Sequence, residues 1–199
     1  MRDIWFGDKR DLIKWSVLMH LADRFKADRV LQIAYYRPSR FGCIVVDDER
    51  IEVRPEVTAH FRDIRSIEGI HSRVRVTVFE VQFTDRRAYL DAAIELVQSC
   101  SSTRCIIFLD PDTGLQPVNP GFEHVLEDEV RQVWLALKAE DVLVFYQHQT
   151  NRNGQPWIEP KREQLARSMQ VDPGSLKIAS APEITADVVL YYCQKDGAM

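Results

Sequence analysis

The sequence predicts an α/β fold: a doubly wound, mostly parallel sheet with an antiparallel C-terminal edge hairpin. Three observations carry this expectation. Cys105-Ile106-Ile107-Phe108-Leu109 is a fully apolar run, and Val142-Leu143-Val144-Phe145-Tyr146 is nearly one. Such runs mark central strands covered on both faces, as parallel strands are. Strand-like and helix-like stretches alternate through most of the chain, the order expected of βαβ units. Near the C-terminus, two strand-like segments are separated only by Ala181-Pro182-Glu183, a tight reversal that fits a hairpin and no crossover.

The elements follow in order. Asp8 is placed to cap a helix running to Phe25, with Leu12, Trp15, Leu18, Met19, Ala22 and Phe25 along one face. Residues 29–35 read as a buried strand that stops at Arg37-Pro38-Ser39, with Arg37 and Arg40 at the mouth of the following loop. Residues 43–54 read as a strand pair inserted at the sheet edge, and 55–69 as a stretch with one short helix. Val74 to Phe79 alternates as a strand, and Thr84 is placed to cap a helix carrying Tyr89, Ala92, Ala93, Leu96 and Val97. A helix is expected over about 126–138. Pro160 suits the first position of another that ends near Met169. Strands are expected at 175–180 and 186–193. With 199 residues and no composition shift, repeat or linker, one domain spans 1–199, with residues 43–69 as a small insertion.

Composition narrows the function classes. Hydrophobic residues make up 45% and charged residues 28%, values of an ordinary folded protein. No apolar run reaches the roughly 20 residues of a spanning helix, and the start lacks a signal-peptide core, so a cytoplasmic location is expected. Cys43, Cys100, Cys105 and Cys193 share no C-x-x-C spacing, which leaves neither a zinc knuckle nor a disulfide framework. A net charge of −4 argues against a constitutive binder of bulk nucleic acid. It leaves room for RNA or DNA at a local basic surface. G-x-G-x-x-G, Walker A, G-x-S-x-G and H-E-x-x-H motifs are all missing.

Candidate site residues cluster where the central strands end, the place at which open α/β sheets bind ligands. Asp110-Pro111-Asp112-Thr113-Gly114 leaves the first apolar strand, and Tyr146-Gln147-His148-Gln149 leaves the second, with Arg152 just beyond. Asp110 and Asp112 have the chemistry to hold a divalent cation, accept from an amine, or simply organise the loop. His148 is a candidate proton carrier; His20, His60, His71 and His124 lack partners at ligand or triad spacing. At the start of the first helix, Lys9 and Arg10 oppose the helix dipole, which points to a contact with an anion or a carboxylate.

Gly7-Asp8-Lys9-Arg10-Asp11-Leu12-Ile13-Lys14-Trp15 together with the 105–111 segment resembles the bacterial adenine-N6 ribosomal RNA methyltransferases of the RlmJ type. Their helix start reads Gly-Asn-x-x-Asp-x-x-Lys-His, and Gly7, Asp11 and Lys14 match it, with Asp8 and Trp15 in the Asn and His places. Their central strand ends in Asp-Pro-Pro-Tyr, and Asp110 and Pro111 match its first half, whereas Asp112 and Thr113 replace the rest. The resemblance implies a Rossmann-like, methyltransferase-like fold that binds S-adenosylmethionine through Gly7, Asp11, Lys14, Tyr35 and Glu80. In that picture Asp110 and Pro111 accept from an exocyclic amine, and Tyr146, Gln147, Gln149 and Arg152 face the substrate. The family's glycine-bearing turn after the first strand is here Ala34-Tyr35-Tyr36-Arg37-Pro38-Ser39.

Three functions are therefore compatible with these residues. One is methyl transfer from S-adenosylmethionine to an amine of a nucleic-acid base. Another is phosphoester hydrolysis with Mg²⁺ on Asp110 and Asp112 and His148 acting on water. The last is a non-catalytic binding protein that kept the sheet and lost the cofactor turn.

Overall fold

The computed structural model describes residues 2, 6–39, 42–100, 103–149, 151 and 154–197. Asp8 caps α1 (Lys9–Phe25) by accepting from the backbone N–H groups of Arg10 and Asp11, and Lys26 ends the helix in the left-handed conformation. β1 (Arg29–Ile33) follows, then a small hairpin of β2 (Cys43–Val46) and β3 (Glu49–Glu52), the short α2 (Pro55–Arg62) and a 3₁₀ turn at Ile64–Gly69. β4 (Arg75–Phe79), α3 (Arg86–Ser99), β5 (Cys105–Leu109), the two-residue strands β6 (Gly114–Leu115) and β7 (His124–Val125), α4 (Glu127–Ala136) and β8 (Val142–His148) form the middle. The chain continues through α5 (Ile158–Met169), β9 (Lys177–Ala181) and β10 (Thr185–Gln194).

Six strands form one mixed, mostly parallel sheet in the order β4-β1-β5-β8-β10-β9. β4, β1, β5 and β8 pair in parallel, whereas β10 runs antiparallel to both of its neighbours. The expected C-terminal hairpin is present, but its second strand lies inside the sheet and its first strand, β9, forms the edge. Strand β10 earns the inner position by composition: Val188 to Cys193 are all buried, whereas the residues of β9 are half-buried or exposed.

Apolar side chains fill both faces. On one face α3, α4 and α5 cover Leu31, Ile33, Ile107, Leu109, Leu143 and Phe145. On the other, α1 covers Val30, Ile106, Phe108, Val144 and Leu190. Burying each large aliphatic side chain contributes roughly 1.5–3 kcal/mol, so these two layers dominate the stability.

Several expectations need correction. The buried face of α1 carries Ile13, Trp15, Leu18, Leu21 and Ala22, and Leu12 is 59% exposed, because the helix is turned to bring Lys14 over the sheet end. The 43–54 strand pair is a separate two-stranded sheet and does not join the main edge. Asp85, not Thr84, caps α3 by accepting from the Ala88 N–H, and Pro160 is the third residue of α5. β8 continues two residues further than expected because Gln147 and His148 pair with β10. All four cysteines are free thiols, with Cys43 alone exposed. Among the described residues no helix is long and apolar enough to cross a membrane.

Candidate functional site

The first crossover takes β1 to β4 on one side, whereas β5 lies on the other, so the switch point falls between the C-terminal ends of β1 and β5. Pairing continues one residue past β5, since the Asp110 N–H donates to the Ile33 carbonyl at 3.0 Å. This places Asp110 under the strand ends with no exposed surface. Its Oδ1 lies 2.9 Å from Lys14 Nζ, and its Oδ2 accepts from Gln32 Nε2 at 2.7 Å.

Lys14 joins the two sequence motifs. Its ammonium also donates to Asp11 Oδ1 at 3.0 Å and lies 4.4 Å from the centre of the Tyr146 ring. Burial works against the ammonium, but the Asp110 and Asp11 carboxylates outweigh it and raise the Lys14 pKa above its ordinary value. Gly7, at φ 79, donates its N–H to Asp11 Oδ2 at 2.7 Å, which explains the spacing of Gly7, Asp11 and Lys14. Those three residues form an internal network, and of them only Lys14 reaches the main cleft.

That cleft, about 520 Å³, opens over the ends of β5 and β8 beside the start of α1. Pro111 and Tyr146 form buried parts of its lining, and Asp8, Arg10, Arg37, Asp112, Thr113 and His148 surround them, with Arg2 and Glu123 at its outer parts. Arg37 and Asp112 form an ion pair that bridges the loops after β1 and β5. Burial would raise the Asp112 carboxyl, but the surrounding cations, Arg37 among them, hold it below its ordinary pKa.

A second network lies against β10. Arg10 Nη2 donates to Asp187 Oδ2 at 2.6 Å, and His148 Nε2 sits 3.0 Å from the same oxygen. Here is the carboxylate contact expected from a basic residue at the start of α1. Burial would raise Asp187, yet hydrogen bonds from Thr185 and Arg10 bring it down to about 2. The other His148 nitrogen, Nδ1, lies 2.8 Å from the Gln149 carbonyl oxygen. Both ring nitrogens thus lie within hydrogen-bonding distance of an oxygen.

Other candidates sit elsewhere. Gln147 is fully buried and works as a loop clamp: its Oε1 accepts from the Leu115 N–H at 2.9 Å and its Nε2 donates to the His148 carbonyl at 2.7 Å. Gly114, at φ 123, passes so close that a Cβ there would lie 2.5 Å from the Gln147 amide. Gln149 donates to Asn151 Oδ1 at 3.2 Å and does not line the cleft. Glu80 is exposed and paired with Arg65 at 3.4 Å, away from the cleft. Arg152 and Arg40 lie outside the described residues.

Tyr35 is 2% exposed and holds the left-handed conformation at φ 47. Its ring packs 5.2 Å from both Phe83 and Tyr89, and its N–H donates to the Tyr89 hydroxyl at 2.8 Å. Phe79 completes this aromatic cluster beneath the ends of β1 and β4, 4.9 Å from Tyr89. The turn after β1 is thus anchored in the core by bulky aromatic side chains.

Asp110 and Asp112 face different cations, Lys14 and Arg37, and do not form a carboxylate pair. Among the described residues no three His, Cys, Asp or Glu side chains are grouped closely enough to hold a metal ion. Residue type and spacing do not mark Asp8 and Glu123 as cleft residues, nor Asp187 as the partner of Arg10 and His148. The charge pattern around Arg10 was the available signal for Asp187, but its location on β10 required the strand order. No protein-family model matches the chain, and no curated protein is detectably similar to it in sequence.

Proposed function

We propose that this chain is a methyltransferase-fold protein that binds a nucleoside-sized polar ligand in the Arg10–Arg37 cleft and makes no use of S-adenosylmethionine. The observation that carries this reading is the aromatic cluster of Tyr35, Phe83 and Tyr89 beside the switch point. Counted within the main sheet, the first four strands stand in the order 2-1-3-4, an order found in doubly wound, flavodoxin-like nucleotide-binding sheets, which supports a doubly wound ancestry. The Gly7-Asp11-Lys14 and Asp110-Pro111 matches support the RlmJ-type line within it.

The residues present do not fit S-adenosylmethionine. Tyr35 fills the turn after β1, the Arg37–Asp112 ion pair spans the switch point, and Glu80 turns to Arg65. Asp110, sealed against Lys14 and Gln32, has no surface from which to meet an amine.

The cleft remains as the place for a ligand, and its volume falls in the range of small-molecule sites. Arg10, Lys14 and Arg37 are each paired with a carboxylate, so the cleft offers donors and acceptors side by side without the cationic excess a polyanion needs. A nucleobase edge, which presents both kinds of group, suits it; a nucleic-acid strand suits it less well.

Calorimetric titration tests the proposal. S-Adenosylhomocysteine should give no binding heat, whereas one or more of the four ribonucleosides should bind saturably and lose about tenfold affinity in Asp112→Asn, as expected for one charged hydrogen bond. Saturable binding of S-adenosylhomocysteine would overturn the reading, as would failure of all four nucleosides to bind.

A further inference from the structure

Residues 42–63 leave the body of the protein and return without burying one side chain; only Val53 and Thr58 are even half-buried. They nevertheless form regular structure. Asp47 and Asp48, at φ 51 and 65, make the two-residue turn that matches hairpin twist, so β2 and β3 are locally specified. An isolated two-stranded hairpin and an eight-residue helix are each marginal in water, and these pack on no core of their own. β2 is also a bare apolar edge, with Ile44, Val45 and Val46 exposed by 51%, 66% and 45%. On α2, Val57 and Phe61 stand four residues apart on one exposed face.

We propose that this arm is a homodimerisation element in which β2 pairs antiparallel, edge to edge, with β2 of a second copy. Charge decides between the two edges. Cys43-Ile44-Val45-Val46 carries no charged residue, so pairing it with itself sets only uncharged side chains opposite one another. Pairing β3 with itself about its centre would set Glu49 against Glu52 of the other copy, a like-charge contact. A two-fold through β2 gives a closed, four-stranded sheet in which the charged β3 strands become the outer edges. Those charges then block further strand addition. α2 follows the same symmetry: Glu56 lies in its first turn and Arg62 in its last, so two such helices packed antiparallel set opposite charges together.

Sedimentation equilibrium on the full chain tests this. The wild type should sediment at twice the 23.1 kDa chain mass, and Val45→Lys at the single-chain mass with an unchanged far-ultraviolet circular dichroism spectrum. Arg50→Ala, on the outer strand, should remain dimeric. A bismaleimide should join two wild-type chains through Cys43, the exposed thiol, and fail to join Val45→Lys chains. A wild type of single-chain mass would overturn the proposal, and so would a dimer that Val45→Lys leaves intact.

Discussion

Lys14 Nζ lies 2.9 Å from Asp110 Oδ1, the carboxylate fully buried and the ammonium side chain nearly so, and the start of α1 and the end of β5 thus share one buried ion pair. Removing the cation leaves the Asp110 and Asp11 carboxylates buried without their counter-charge. Lys14→Met should lose about 3–5 kcal/mol of unfolding free energy in urea titrations. Adding Asp110→Asn should restore part of that loss, because the remaining buried charge is smaller.

Tyr35 combines a buried ring with a strained backbone, and two variants separate the contributions. Tyr35→Ala and Tyr35→Gly both lose the aromatic packing, a cost of about 3–5 kcal/mol. Glycine alone tolerates φ 47 without strain. The glycine variant should therefore be more stable than the alanine variant by about 1 kcal/mol in the same denaturation assay.

Gly114 has no room for a side chain beside Gln147, whereas Gly154, at φ 67, faces open space. Both positions disfavour L side chains by backbone, but only the first adds a clash. Gly114→Ala should destabilise by about 2–4 kcal/mol and Gly154→Ala by about 1 kcal/mol, read as denaturation midpoints.

The Asp187 carboxyl is held at about 2 in the folded chain, below the roughly 3.9 of an unfolded Asp. A depressed folded pKa contributes stability above the unfolded value and loses it as pH falls through the folded one. The Arg10–Asp187 contact should thus weaken between about pH 4 and pH 2. Urea midpoints for the wild type and Asp187→Asn should converge across that interval. The screened, partly exposed position keeps the effect modest.

The layers of the fold were readable from residues because buried strands announce themselves: Cys105 to Leu109 has no charged or strongly polar side chain to place outside. The arrangement of the sheet was harder. Nothing in Thr185 to Gln194 states that it lies between β8 and β9; only its greater apolarity hints at an interior position. Lys14 and Asp110 stand out in the sequence because each sits in a short motif, but their ion pair with one another is encoded by no local pattern. Arg37 and Asp187 became site residues only through long-range pairing, which no local pattern encodes. Gln147 illustrates the reverse error: a polar residue at a strand end looked like a ligand contact and proved to be a clamp for its own neighbouring loop.

The inner position of β10 also sets an order on biosynthesis. β9 leaves the ribosome before β10, yet its partner in the sheet is β10, and β8 likewise waits for the same strand to cover its outer edge. Until residue 194 has emerged, the nascent sheet ends at β8 with an uncovered hydrogen-bonding edge, the kind of surface that invites pairing between chains. Sheet closure therefore waits for β10, and a chain cut before β10 carries an uncovered hydrogen-bonding edge on β8.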